Sequence, residues 1–378
     1  MQPASSTWVR GRALAWAVMA TCAALALTPS AEAGQRRGGH KADGARAAAR
    51  EASPPLTYAD RPEAREFALQ LASKHGFEVP WVLERIGQAR LVPTVRRLIM
   101  PPATGTAKNW VAYRERFIEP QRITAGLAFW AEHERWLVRA EAIYGVPAQL
   151  VVGIIGVETY YGRHVGAFRV IDALATLAFD FPPGRSDRSA FFRDELEALF
   201  LLGRTQGIDP LDLRGSYAGA VGLPQFMPSS WNRYAVDFDG DGRADLQRST
   251  ADVVGSVAAY LAAFGWIPGL PTHYAVTPPA DEAERAVLLA PDIRPSFTAT
   301  EFKARGATLD AAAQAHVGPL ALVELFNGDG APSYVAGTSN FYAVTRYNWS
   351  SYYALAVIEL GEAIAEARSG RLTASQRP

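Results

Sequence analysis

The chain has 378 residues and carries 38 Lys and Arg against 38 Asp and Glu, a formal net charge of +0. That balance removes any electrostatic argument for nucleic acid as a partner, and a single cysteine, Cys22, excludes a disulfide framework or a thiolate metal site. With 49% hydrophobic residues the chain can bury a sizeable core, in more than one lobe at this length.

The first segment, 1–33, reads as a secretory signal peptide. Arg10 and Arg12 precede an apolar run from Ala13 to Leu27, and Ala31-Glu32-Ala33 supplies a small-x-small cleavage site before Gly34. The run is shorter than the roughly 20 residues of a membrane-spanning helix. Cys22 lies inside the run, so the exported chain carries no thiol; Thr21 before it and the apolar run beyond it argue against a lipid anchor at Cys22. Residues 34–55, GQRRGGHKADGARAAAREASPP, are small and charged without apolar periodicity, as in a disordered linker.

A helical lobe is expected over 56–140. EAREFALQLASKHGF and PWVLERIGQARL place apolar residues three and four apart and predict two amphipathic helices separated at His75-Gly76. A short segment to Ile118, a break at Pro120 and a long helix over 121–144 follow, and Val146-Pro147 restarts the chain. The span 141–275 contains further helices, with Pro182-Pro183-Gly184 as a loop inside a helical stretch over 172–205. Over 276–338 short β-prone runs alternate with Asn-Gly, Asp-Gly and proline, predicting a small β-containing lobe. The last helix, 352–368, returns to the helical body within 339–378.

One carboxylate stands out. In VVGIIGVETYYGRHVG, Pro147 to Tyr161 forms a single helix apolar around most of its circumference, which marks it as buried. Gly153 and Gly156 each cost about 1 kcal/mol relative to alanine, so another backbone is expected to pack against them. Glu158 falls in the last turn, before Gly162. Burial and the negative end of the helix dipole both disfavour its charged form and predict a raised pKa, as a general acid requires. A buried glutamate tied to Arg163 or to a backbone amide is the structural alternative, and this stretch does not choose between them.

GIIGVETYYGR, LDLRGSYAGAVGLPQFMPSSW, AVDFDGDGRADL, GSVAAYLAAFGW and NFYAVTRYNWSSYYALAV, in this order, resemble the lytic murein transglycosylase B family. The resemblance runs from about Leu56 to Arg368. It implies a mainly α (α+β) fold, with a lysozyme-like catalytic core, a helical lobe and a small inserted β lobe. It also implies a periplasmic enzyme, acting as a monomer on peptidoglycan glycan strands beside other cell-wall enzymes. The implied reaction cleaves the β-1,4 bond between N-acetylmuramic acid and N-acetylglucosamine without water and leaves a 1,6-anhydro ring. Glu158 matches the catalytic acid, which then serves as base. Ser216 and Gln225 match polar groups near the scissile bond, and Tyr113, Tyr260, Tyr347, Asn348 and Tyr353 match residues lining the groove. Taken singly, each tyrosine reads as core packing.

Asp237-Phe-Asp239-Gly-Asp241-Gly242-Arg243-Ala-Asp245 has EF-hand spacing, with carboxylates at loop positions 1, 3, 5 and 9, glycine at 6 and the Arg243 carbonyl at 7. Calcium is the natural partner of such a hard-oxygen set. Position 12 is Arg248 rather than glutamate, so Asp252 has to reach back to complete it. A bound cation here is structural, since no step of the chemistry requires a cofactor; the alternative is a solvated Asp/Gly turn. The six histidines are scattered and form no metal or triad motif. Two other functions stay open: a hydrolytic muramidase with Asp172 or Asp180 as second carboxylate, and a glycan- or calcium-binding wall protein without catalysis.

Overall fold

The structure is a computed structural model describing residues 56–101 and 108–375, with side chains to 370; the signal peptide, Cys22 and the 34–55 linker lie outside the described residues. In chain order the elements are α1 (Pro62–His75), α2 (Val79–Gly87), α3 (Pro93–Leu98), α4 (Trp110–Glu115), α5 (Pro120–Tyr144), α6 (Ala148–Thr159), β1 (Phe168–Arg169), α7 (Val170–Phe179), α8 (Ser189–Gln206), β2 (Arg214–Gly215), α9 (Pro228–Tyr234) and α10 (Thr250–Ala263). Then come β3 (His273–Thr277), α11 (Glu282–Leu289), α12 (Ala299–Ala304), β4 (Thr308–Leu309), α13 (Ala311–Gln314), β5 (Ala321–Asn327), β6 (Gly330–Gly337), α14 (Ser339–Thr345) and α15 (Ser351–Ser375).

Local chemistry sets many of these boundaries. Helix α5 begins with Pro120 at its first position, under a Glu119 carboxylate that accepts from the Gln121 and Arg122 amides, and ends at Gly145 with φ 64. His133, at φ −113 and ψ 17, kinks it midway. Ser249 caps α10, Asp281 caps α11, and Thr298 with Glu301 forms a capping box on α12.

The described residues fall into two units. One comprises 108–164 and 234–375. In it α6 packs against α5, α10 and α15, and an antiparallel sheet runs in the order β4-β3-β6-β5. Leu288, Phe302, Leu309, Leu320 and Leu322 form a core beneath this sheet. The β5-β6 hairpin turns through the predicted Asn-Gly-Asp-Gly segment. The short helices α11, α12 and α13 interrupt the β-prone stretch because the Asp281, Thr298 and Asp310 side chains cap them. The other unit comprises 56–101 and 165–233: α1 packs on α2, α7 packs on α8 and α3, and the two-stranded β1-β2 ladder precedes a buried loop.

Candidate active site

Helix α6 is buried from Ala148 through Thr159. Its glycines explain how. A methyl at Gly153 would overlap the Val357 carbonyl oxygen of α15, and a methyl at Gly361 of α15 would overlap the Gln149 carbonyl oxygen of α6. The backbones of α6 and α15 therefore approach at reciprocal glycines. Gly156 differs from the expectation, because it faces the Tyr161 side chain and Leu360 rather than another backbone.

The helix also ends earlier than its sequence suggests. Tyr160 (φ 51) is its left-handed cap, and Tyr161 (φ 56) and Gly162 (φ 91) continue in the left-handed region. Two non-glycine residues there cost about 1 kcal/mol or more each, and the surroundings hold them in place. The Tyr160 amide donates to the Gly156 carbonyl at 3.2 Å. The Arg122 guanidinium donates to the same carbonyl at 2.6 Å and lies 4.4 Å from the Tyr160 ring centroid. Arg163 covers Tyr160 as well, at 4.6 Å. The Tyr161 hydroxyl lies where a methyl on Gly126 or Gly156 would have to be. Sequence reasoning missed Arg122, which lies 34 positions from the carbonyl it binds and carries no local signal.

Glu158 is 7% exposed on the last turn of α6. Burial pushes its carboxyl up to about 7, opposed by a hydrogen bond that favours the carboxylate. Burial is the cause of that rise, and at the carbonyl end of α6 the Arg122 guanidinium covers the Gly156 carbonyl. The opposing bond comes from the Tyr353 hydroxyl of α15, which donates to Glu158 Oε1 at 2.6 Å. No salt bridge reaches Glu158 among the described residues, so the Arg163 tie considered from the sequence does not form.

Three more of the expected groove tyrosines gather around this carboxyl. The Tyr347 and Tyr353 phenols are held well above their ordinary pKa by burial and by the Glu158 charge. Tyr113 is pushed up to about 12 by the same causes, and Tyr260 is raised chiefly by burial, with a smaller contribution from Glu158. The Tyr347 and Tyr353 rings stack at 6.4 Å with 16° between planes, and Tyr260 lies 4.9 Å from Tyr347. Asn348, 7% exposed, has a side-chain carbonyl with no hydrogen-bond partner among the described residues. Apolar ring faces with a few fixed hydroxyl and amide groups suit sugars, which present C–H faces rimmed by hydroxyls.

Ser216 and Gln225 belong to the other unit, in a loop of successive turns after β2. The Ser216 hydroxyl accepts from the Ala218 and Ala220 amides at 3.3 and 3.0 Å. Gln225 sits at φ 51 and donates its amide to the Gly222 and Val165 carbonyls at 2.8 and 3.3 Å. In the same unit, Asp172 is held by the Arg169 guanidinium at 2.6 and 3.0 Å and by the Arg90 amide at 3.0 Å. Asp180 accepts from the Arg61 guanidinium at 3.1 Å and the Tyr58 hydroxyl at 2.7 Å. Both carboxylates weighed for a hydrolytic mechanism are thus bound to structural cations.

In the aspartate loop, carboxylate oxygens of Asp237, Asp239 and Asp252 lie within 4.8 Å of one another. Asp252, in the first turn of α10, does reach back, accepting from the Phe238 amide at 2.6 Å and the Asp245 amide at 2.8 Å. Asp241 and Asp245 stand outside this trio; like Asp237, which accepts from the Gly240, Asp241 and Gly242 amides at 2.7, 3.1 and 2.8 Å, they accept backbone amides, from Arg243 at 2.9 Å and from Gln247 and Arg248 at 2.9 and 3.0 Å. Three converging carboxylates without an ion-pair partner among the described residues fit a hard divalent cation.

Residues 59–362 match the family model of the transglycosylase SLT domain. The chain is 40% identical over 319 residues to the membrane-bound lytic murein transglycosylase B of Escherichia coli strain K12, covering 82% of this chain and 85% of that one. Among solved structures, the catenated lytic transglycosylase SltB1 of Pseudomonas aeruginosa is 41% identical with a TM-score of 0.75, over 82% of this chain and 99% of that one. The Escherichia coli lytic transglycosylase Slt35 in complex with calcium is 38% identical with a TM-score of 0.72, over 83% of this chain and 97% of that one. By sequence, by its mainly helical lysozyme-like fold and by the extent of both matches, this chain belongs to the transglycosylase SLT domain family.

Proposed function

We propose that the chain is a lytic murein transglycosylase that cleaves the MurNAc-β-1,4-GlcNAc bond of peptidoglycan, with Glu158 serving first as acid and then as base. The observation that carries this reading is the state of Glu158: a buried carboxyl with its pKa near 7, hydrogen-bonded by the Tyr353 phenol and, among the described residues, with no carboxylate charge contributing to its shift. A hydrolytic retaining or inverting mechanism uses two carboxylates across the bond. A single acid suits a reaction in which the substrate supplies its own nucleophile.

Protonated Glu158 donates its proton to the glycosidic oxygen as the bond from that oxygen to C1 breaks. The C6 hydroxyl oxygen of the same muramic acid then bonds to C1, and its proton passes to the Glu158 carboxylate. The acid is regenerated, no water is consumed, and a 1,6-anhydro ring results. The Tyr353 hydroxyl, donating at 2.6 Å, stabilises the carboxylate between the two transfers. Positive charge developing at C1 is stabilised by the substrate's own acetamido group. Tyr113, Tyr260, Tyr347 and Asn348 hold the sugars.

Asp237, Asp239 and Asp252 are the carboxylates we assign to a calcium ion, which would pin the loop before α10 and take no part in the chemistry. The calcium complex of Slt35 supports this assignment. We place the enzyme in the periplasm, exported by the leader over 1–33. No single helix among the described residues is long and apolar enough to cross a membrane, and the apolar pair α5 and α6 is bent by 117°.

The test is mass spectrometry of fragments released from purified peptidoglycan, with Glu158→Gln as control. Products one water lighter than hydrolytic ones and resistant to borohydride, absent with Glu158→Gln, are expected. Reducible products would replace this reading with a muramidase.

A further inference from the structure

Two arginines beside the tyrosine cluster are left unused by the reaction above. The guanidinium carbons of Arg294 and Arg346 lie 5.5 and 5.3 Å from the centroid of one ring system, that of Trp349. Arg346 also stacks against Phe264 at 5.3 Å and Tyr342 at 5.8 Å. Neither guanidinium has a carboxylate within ion-pair distance among the described residues. Two like charges set on one indole repel each other. Arg135 and Arg139 share the Trp136 ring in the same way, also without an ion-pair carboxylate among the described residues; Arg294 and Arg346 differ in lying beside the tyrosine cluster. The aromatic faces position these two cations without neutralising them, and an anion bound between them would.

The pair adjoins the site. Arg346 immediately precedes Tyr347 and Asn348, and its carbonyl accepts from the Tyr260 hydroxyl at 2.6 Å. The Tyr260 phenol experiences both the Arg346 and the Glu158 charge. Arg294 is presented by a turn in which Asp292 adopts φ 58, a left-handed conformation that costs about 1 kcal/mol or more for a residue other than glycine. The turn is closed by the Asp292 amide on the Leu289 carbonyl at 2.9 Å, and Ile293 is buried under it.

We infer that Arg294 and Arg346 bind a carboxylate of the peptide carried by the muramic acid, and so select strands whose peptide carboxylates are free over strands in which they are amidated. This rests on the substrate proposed above. In that substrate the lactyl carboxyl of muramic acid is tied up in the amide bond to the peptide, so the anions are the carboxylates of the peptide. A planar guanidinium recognises a carboxylate through paired N–H donors, which a lysine ammonium does not reproduce.

The test compares soluble peptidoglycan fragments with the same fragments after carbodiimide-driven amidation, which removes the carboxylate charge and keeps the shape. Wild-type enzyme is expected to show a KM about tenfold lower for the charged substrate, with a smaller difference in kcat. Arg294 is exposed, so Arg294→Gln should fold normally and bring the KM ratio of the two substrates close to one. Arg346→Lys should narrow the ratio in part. A wild-type ratio near one, or a ratio unmoved by Arg294→Gln, overturns the inference while anhydro products from both substrates leave the transglycosylase reading standing. If wild-type enzyme yields no anhydro products, the reading falls and this inference falls with it.

Discussion

Glu158→Gln should abolish cleavage and, at alkaline pH, stabilise the fold. The carboxyl has a pKa of about 7 in the folded chain against an ordinary value of 4.5, with burial as the cause. The folded state therefore binds a proton that the unfolded state has released over that interval. The resulting stability is fully present below pH 4.5 and is lost as pH rises through 7. At 1.36 kcal/mol per pH unit, the loss amounts to roughly 3 kcal/mol. Glutamine has no charge to bury, and its amide oxygen still accepts from the Tyr353 hydroxyl. Urea unfolding of both proteins at pH 4.5 and pH 8 measures the effect. The variant's advantage over wild type should be about 3 kcal/mol larger at pH 8 than at pH 4.5. A difference between the two proteins that does not change with pH would refute the claim that burial raises Glu158, and with it the account of why this carboxyl is an acid near neutrality.

Tyr353→Phe removes the phenol that favours the carboxylate, so the alkaline limb of the kcat/KM profile should move up by about one pH unit, with a lower maximal rate; an unmoved limb would separate Tyr353 from the acid. Calcium should raise the melting temperature of wild type by about 5 °C or more at saturation and leave Asp237→Ala unchanged. Equal shifts in the two proteins would reject the loop as the site. Gly153→Ala drives a methyl into the Val357 carbonyl oxygen, and a loss of about 1–3 kcal/mol or more is expected from thermal or urea melts. An unchanged midpoint would mean that α6 and α15 separate at little cost.

Much of the helical part was legible because its signals are local. Pro120 and Gly145 bound α5, the apolar circumference of 148–159 declares α6 buried, and Asn-Gly-Asp-Gly closes the β5-β6 hairpin. Three features were read incompletely. The end of α6 was expected at Gly162, but Tyr160 and Tyr161 take the left-handed positions, which tyrosines adopt only when side chains such as Arg122 and Arg163 hold them. The kink at His133 has no proline or glycine to announce it. The aspartate loop was read by its spacing as a set of five ligands, whereas the carboxylates that converge are Asp237, Asp239 and Asp252, the last supplied from the first turn of α10.

The sequence by itself determined that a carboxyl would be buried in an apolar helix beside glycines, since burial follows from periodicity and close approach from the missing Cβ. It did not determine what that carboxyl would meet. Tyr353 lies 195 positions from Glu158 and Arg122 lies 34 from Gly156, distances at which no pattern of neighbouring residues constrains a hydrogen bond. The packing of α5 and α15 on α6 decided both contacts, and with them how strongly burial is opposed and how the turn after Glu158 is held.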